Sequence, residues 1–270
     1  MLCRLGQAAT MYAISSSIDD YDAFARFYDL FYGQRSEDVA MYLDFAQAGD
    51  GAILELGCGT GRILLPLARA SYHTTGLDIS AEMLARARKR LEAARLAHLV
   101  TLVQGDMARF VLSERFALAI LSANTFMHCH DTREQLACLN CVRQHLISGG
   151  RLIVDLSHPD MQMLSEADGR LMSDEAVLDP DTGHTIQRFI QRRLDMANQM
   201  QYVTFIIDEI AMDGTVRRML FPFRLRFVFR FEMELLLRLA GFSLEALYGS
   251  YQMEPFEDHC ERMIFVARRD

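Results

Sequence analysis

The stretch Ile53-Leu54-Glu55-Leu56-Gly57-Cys58-Gly59-Thr60-Gly61-Arg62 decides how this chain is read. An apolar run from Ala52 to Leu54 leads into a bend with glycine at 57, 59 and 61, and a helical pattern begins directly after it. Glycine at alternate positions permits a tight bend and lets a ligand approach the main chain without meeting a Cβ. The helix after the bend presents unpaired N–H groups and the positive end of its dipole. Strand, glycine bend and helix together make a cradle for a nucleotide or nucleoside.

Spacing narrows the choice of ligand. A dinucleotide fingerprint reads G-x-G-x-x-G, whereas these glycines read G-x-G-x-G with Glu55 ahead of them. That spacing argues against an NAD-dependent reductase. A P-loop requires Gly-Lys-Ser/Thr, and the only lysine in the chain is Lys89. A second run, Thr74 to Ser80, puts Asp78 where a second strand should end. A carboxylate there can accept two hydrogen bonds from a ribose diol; the alternative is that Asp78 only caps the helix that starts near Ser80 and includes Met83. A third run, Leu99 to Met107, ends in Gly105-Asp106-Met107. Gly105 frees the backbone to lie near a planar ring, Asp106 can accept from an exocyclic amine, and Met107 can pack on the ring face; the plainer alternative is a Gly-Asp turn. A fourth run, Phe116 to Ser122, has the continuous apolar character of a central parallel strand. It passes into Ala123-Asn124-Thr125-Phe126-Met127-His128.

With these segments in this order, the chain resembles the class I S-adenosylmethionine-dependent methyltransferases. Glu55 to Gly61 is similar to their first motif, Gly76-Leu77-Asp78-Ile79-Ser80 to their second, and Gln104-Gly105-Asp106-Met107 to their adenine-binding turn. Gly149-Gly150 with Arg151 to Val154 resembles the later strand that comes after a Gly-Gly turn. Within the superfamily the chain looks most like small-molecule enzymes that N-methylate amino sugars and other amines. The segment Tyr21 to Tyr32 and a strand-rich insertion before the last helix carry that narrower likeness. The resemblance implies S-adenosyl-L-methionine as donor, S-adenosyl-L-homocysteine as product, and no metal. It implies a cofactor site drawn from Glu55, Gly57, Cys58, Gly59 and Arg62 at the bend, and Asp78, Ile79 and Met83 after the second strand. Gly105, Asp106 and Met107 come after the third strand, and Asn124 after the fourth. Tyr28 is expected to reach the methionine carboxylate and Tyr32 the sulfonium region, unless that aromatic helix is simply core. Arg62 is expected to pair with the same carboxylate, or else to sit on the surface.

The fold expected is α/β: a doubly wound, mostly parallel seven-stranded sheet with an antiparallel last strand, plus a small inserted antiparallel sheet acting as a lid. Alternating strands and helices from Ala52 to about Leu156 carry the first part. Right-handed crossovers then gather all the motif loops at the carboxyl edge. Residues 21–158 and 230–270 are read as the cofactor-binding domain, 159–229 as the insertion and 1–20 as an N-terminal tail. Three long strand-like runs are expected in the insertion: Thr185 to Leu194, Met200 to Ala211 and Val216 to Phe229. Asn198 and Asp213-Gly214 mark the turns, and Pro222 an edge or bulge. A helix from Phe231 to Ala240 stops at Gly241, and two closing strands pair antiparallel.

Composition sets limits on partners. The chain has 270 residues, 51% hydrophobic, with a formal net charge of −8. An acidic balance argues against a large nucleic-acid footprint, which needs a basic face. The arginines between Arg188 and Arg226 read as strand-face side chains. The six cysteines show no zinc-ligand pattern and read as thiols in a reducing, cytoplasmic compartment. No run of 18 apolar residues suggests a membrane span, and residues 1–17 lack a signal-peptide core. The expected partner is a small-molecule substrate, with a homodimer open.

For catalysis, methyl transfer needs nucleophile, carbon and sulfur held in line. His128, just past the fourth strand, is the candidate base; the plainer alternative is a hydrogen-bonded loop residue. His130 stands with it on the other side of Cys129, and His158 and Tyr251 are weaker candidates. An amine acceptor is the first expectation. A hydroxylated acceptor with His128 as base is the second, and a non-catalytic cofactor-binding module the third.

Overall fold

The computed structural model describes residues 18–270, with side chains from residue 21 onward. Cys3 and the expectation for residues 1–17 lie outside the described residues. The N-terminal helix α1, Ile18–Tyr32, starts inside the stretch read as a tail. Helix α2, Val39–Gln47, comes next.

The chain then alternates: β1 (Ile53–Leu56), α3 (Leu64–Arg69), β2 (Thr74–Asp78), α4 (Ala81–Ala93), β3 (Val100–Gln104), β4 (Phe116–Leu121), α5 (Thr132–His145) and β5 (Leu146–Ser157). After the second sheet come α7 (Arg230–Leu239), β10 (Phe242–Tyr248) and β11 (Arg262–Arg269). The strand order is β10-β11-β5-β4-β1-β2-β3. All pairs are parallel except those of β11, which runs antiparallel to both β5 and β10. The order reverses between β1 and β4, and such a switch point opens a crevice at the carboxyl edge.

All four β1 residues are buried, as expected for a strand covered on both faces. One face packs Leu54, Leu56, Leu121 and Val154 against α5 and α7 residues. The other packs Ile53, Ile120 and Ile153 against Met41 and Tyr42 of α2. Each such aliphatic side chain contributes roughly 1.5–3 kcal/mol on burial. Gly76 shows how closely the layers approach: a Cβ there would stand 2.5 Å from Leu64 Cδ1 and 2.8 Å from Cys58 Sγ. Gly149, at φ +75, lies in an irregularity where β5 gains residues between its Phe116 and Leu118 registers with β4.

Between β5 and α7 the chain forms α6 (Met161–Ala167) and a four-stranded antiparallel sheet in the order β6-β7-β8-β9. Its strands are β6 (Leu171–Leu178), β7 (Thr185–Asp195), β8 (Met200–Ile210) and β9 (Val216–Arg226). This corrects the expectation of three strands. β6 is an edge strand exposed along almost its whole length, so its sequence lacks the apolar alternation that marks a half-buried strand. Pro222 falls in β9, the opposite edge strand, in unbroken register with β8. Phe24, Phe27 and Phe31 of α1 pack on Ile207, Phe221 and Phe223 of this sheet, so the sheet carries α1 on one face.

Candidate active site

A cleft of about 690 Å³ opens at the switch point. It is lined by the ends of β1, β2 and β4, by the start of α5, by α1 and by Arg224 from β9. Gly57, at φ +64, forms its floor, and a Cβ there would strike Thr125 Cγ2 at 2.5 Å. Only glycine suits both the backbone angle and the contact. The ring of Tyr28 stands 3.9 Å from where a Gly59 Cβ would lie, so bend and ring form two walls of one slot. Burial pushes the Tyr28 hydroxyl upward in pKa, which keeps it protonated and a donor.

Asp78 joins the glycine bend to the next helix. Its Oδ2 accepts from Gly59 N at 2.7 Å and its Oδ1 from Ser80 N at 2.9 Å. Burial raises its pKa against the opposing pull of those N–H groups. The N-cap of α4 is Ser80, whose Oγ accepts from Met83 N. A carboxylate offers about four acceptor positions, and Asp78 still faces the cleft with Ile79 and Met83 beside it. Gly105, Asp106 and Met107 line the next stretch of wall. Asp106 also accepts from Ala108 N and from Arg109 Nε.

Four of the residues expected at the glycine bend and after the fourth strand stand outside the lining. Cys58 is buried with Leu64 and Leu84, its sulfur turned toward β2. Arg62 is held by both oxygens of Asp38, at 2.5 and 2.6 Å, and by Arg35 O; it fastens the start of α2 rather than facing the cleft. Asn124 is engaged by Ser157 through both its amide atoms. Glu55 lies beneath the bend, 2% exposed. Its Oε1 accepts from Ser122 Oγ, its Oε2 has no partner, and burial pushes its pKa up to about 8.

At the far end, His128 closes a 3-10 turn, Thr125–His128, and its Nε2 lies 2.7 Å from the Tyr21 hydroxyl. Burial, with His130 nearby, pushes its pKa down to about 4. The ring of Tyr21 also meets that of Phe223, with centroids 4.8 Å apart. The Nε2 of His130 lies 3.0 Å from Arg224 O, and the His130 amide donates to Glu134 Oε2. His158 and Tyr251 are outside the lining, bonded to Cys260 O and Asp155 Oδ2 respectively. Tyr32 packs against Arg188, also outside it. Thr125, Arg133, Glu134 and Arg224 line the cleft although no motif named them. Arg224 in particular is brought in by the second sheet from far along the chain, with no local signal.

The arrangement fits an adenosyl donor. A diol acceptor, a stretch of apolar wall and an orphaned buried carboxylate oxygen near the bend match ribose, base and ammonium groups. The comparisons agree. Residues 53–150 match the family description "Methyltransferase domain". This chain is an S-adenosylmethionine-dependent methyltransferase. It is 27% identical to the cypemycin N-terminal methyltransferase of a Streptomyces species, over 80% of this chain and 82% of that one. It is 33% identical to a dTDP-3-amino-3,4,6-trideoxy-alpha-D-glucopyranose N,N-dimethyltransferase of Streptomyces venezuelae, over 47% of this chain and about half (54%) of that relative. The solved CcbJ methyltransferase of Streptomyces caelestis superposes with a TM-score of 0.80 at 26% identity, covering 93% of this methyltransferase and 97% of that chain. No described helix of the methyltransferase is long and apolar enough to cross a membrane.

Proposed function

We propose that this methyltransferase acts on the amine nitrogen of a small acceptor bound at the Tyr21–His128 end of the cleft. The state of His128 carries this reading. Its imidazole lines the cleft, is engaged by Tyr21 and has a pKa pushed down to about 4. Such a ring is neutral at pH 7 and far too weak a base to deprotonate an alcohol. An amine needs no such base, because its ammonium loses a proton to water before the lone pair enters the site. The two curated relatives, one named for an N-terminus and one for N,N-dimethylation of an amino sugar, support the same choice.

When bound, S-adenosylmethionine supplies a methyl group on a positive sulfur, already activated for displacement. The protein's part is orientation. Asp78 would hold the ribose hydroxyls. Ile79, Met83 and Met107 would enclose the adenine between apolar side chains, and Asp106 would accept from its amine. Tyr28 would donate to the carboxylate at the glycine bend. The unpartnered oxygen of Glu55 would accept from the neighbouring ammonium, whose positive charge would favour the ionised carboxylate. Tyr21 and His128 would direct the acceptor nitrogen by hydrogen bonding.

The test is a pH–rate profile over a panel of small amines and alcohols. The expected result is turnover of amines alone, with kcat/KM rising with pH along each acceptor's own ammonium titration. Turnover of alcohols, or a step near the ordinary histidine value of 6.5 that vanishes in His128→Gln, would contradict it.

A further inference from the structure

The chain beyond β4 carries two consecutive non-glycine residues in the left-handed region, Ala123 at φ 47 and Asn124 at φ 70. An L-residue with a Cβ resists that conformation, so something must hold it. The holder is the end of β5. Asp155, with 0% exposure, accepts from Ala123 N through its side-chain Oδ2 at 3.1 Å and from Asn124 N through its main-chain oxygen at 3.0 Å. Both amides of the strained pair therefore close on one residue. Two positions on, Ser157 clasps the Asn124 amide from both sides.

Asp155 is itself fixed from three directions. Arg262 Nε of β11 donates to its Oδ1 at 2.6 Å, and the hydroxyls of Tyr251 and Tyr42 donate to its Oδ2 at 3.1 and 3.4 Å. The strained pair matters because it aims the chain into the site. Ala123 lines the cleft. Thr125 is set against the Gly57 backbone so closely that no Cβ fits between. The 3-10 turn then delivers His128 to the Tyr21 hydroxyl.

We propose that Asp155 is a positioning residue for the cofactor site: its carboxylate, anchored by Arg262 and the two tyrosines, holds Ala123 left-handed while its main-chain oxygen holds Asn124, and together they seat Thr125 on the glycine bend. Asp155 does not line the cleft and touches no ligand; it acts through the backbone. The inference rests on the cofactor assignment and not on the identity of the acceptor.

The test is titration calorimetry with S-adenosylhomocysteine, after thermal melting has shown each variant to be folded. Asp155→Asn is expected to weaken binding about tenfold, since a neutral amide loses the charged anchor of Arg262 and is a weaker acceptor for the Ala123 N–H. Adding Ala123→Gly, which removes the Cβ that resists the left-handed angle, is expected to restore at least about threefold of that loss. A purely structural role for Asp155 would not be rescued by a glycine at 123. Binding within threefold of the unaltered chain in Asp155→Asn, or no restoration by glycine, would overturn the proposal. Should Asp155→Asn not fold, Asn124→Ala and Asn124→Gly decide. Both lose the Ser157 clasp, but only glycine tolerates φ 70, so the glycine variant is expected to bind about fivefold more tightly than the alanine variant. Equal affinities would overturn the proposal. Absence of binding in the unaltered chain would instead overturn the cofactor assignment, and this inference with it.

Discussion

The two ends of the cleft are built in different ways. The glycine-bend end is made of backbone: Gly57, Gly59 and Gly105 supply surface, and Asp78 ties bend to helix within 19 positions of sequence. The Tyr21–His128 end is made of side chains from distant elements. Tyr21 and His128 are 107 positions apart, and His130 meets Arg224 across 94. A shared cofactor needs the same shape each time, and a backbone supplies it from a short local motif. On the proposed reading, an acceptor would be recognised by side chains that the second sheet and α1 bring over the cleft.

This contrast orders the expected effects. The largest concerns the mounting of the Tyr21–His128 end. Phe24 is 1% exposed among Phe205, Phe221 and Phe223, and Phe24→Ala is expected to cost about 3–5 kcal/mol in urea unfolding. A loss below about 1 kcal/mol would mean that this ring does not anchor α1 to the sheet. Next is the backbone end. Gly57→Val must take φ +64 and meet Thr125 at 2.5 Å, so S-adenosylhomocysteine affinity should fall about 100-fold or more. Arg224→Ala tests the other end. Turnover should fall about tenfold while calorimetric affinity for S-adenosylhomocysteine stays within about threefold. Equal losses in both quantities would erase the distinction between the ends.

The smallest effect is on pH-dependent stability. His128 has its folded pKa pushed down to about 4 from an ordinary 6.5. Between those values the unfolded chain binds the proton that the folded chain refuses. This contribution is therefore complete above pH 6.5 and lost as pH falls toward 4. Because His128 borders an open cleft, the effect is about 1 kcal/mol. Denaturant melts of His128→Gln should show a shallower acid slope; an unchanged slope would contradict the assigned burial.

Much of this contrast was legible in the sequence. The glycine spacing, Asp78 and the Gly105-Asp106 turn led to the seven-stranded sheet, whose closing strands also ended near their expected positions. What escaped depended on partners far away. Arg62 sits after the bend as a carboxylate ligand would, yet Asp38, 24 positions earlier, takes both its nitrogens. Asn124 reads as offering its backbone or its amide to the ligand, and the amide is taken up by Ser157, 33 positions later. β6 has no burial pattern to read because water faces most of it. Arg188 looked like a surface strand arginine. It is 3% exposed instead, stacked on Phe31 and paired with Asp174, an arrangement that exists only once α1 lies on the sheet.

The central claim is that the glycine bend and Asp78 hold the adenosyl group, and calorimetry tests it most directly. Titrating S-adenosylhomocysteine into the unaltered chain should give saturable heat at one site per chain. In Asp78→Ala the affinity should drop about tenfold or more, as expected when a charged hydrogen-bonding partner is removed. No heat with the unaltered chain, or the same affinity in Asp78→Ala, would contradict the account.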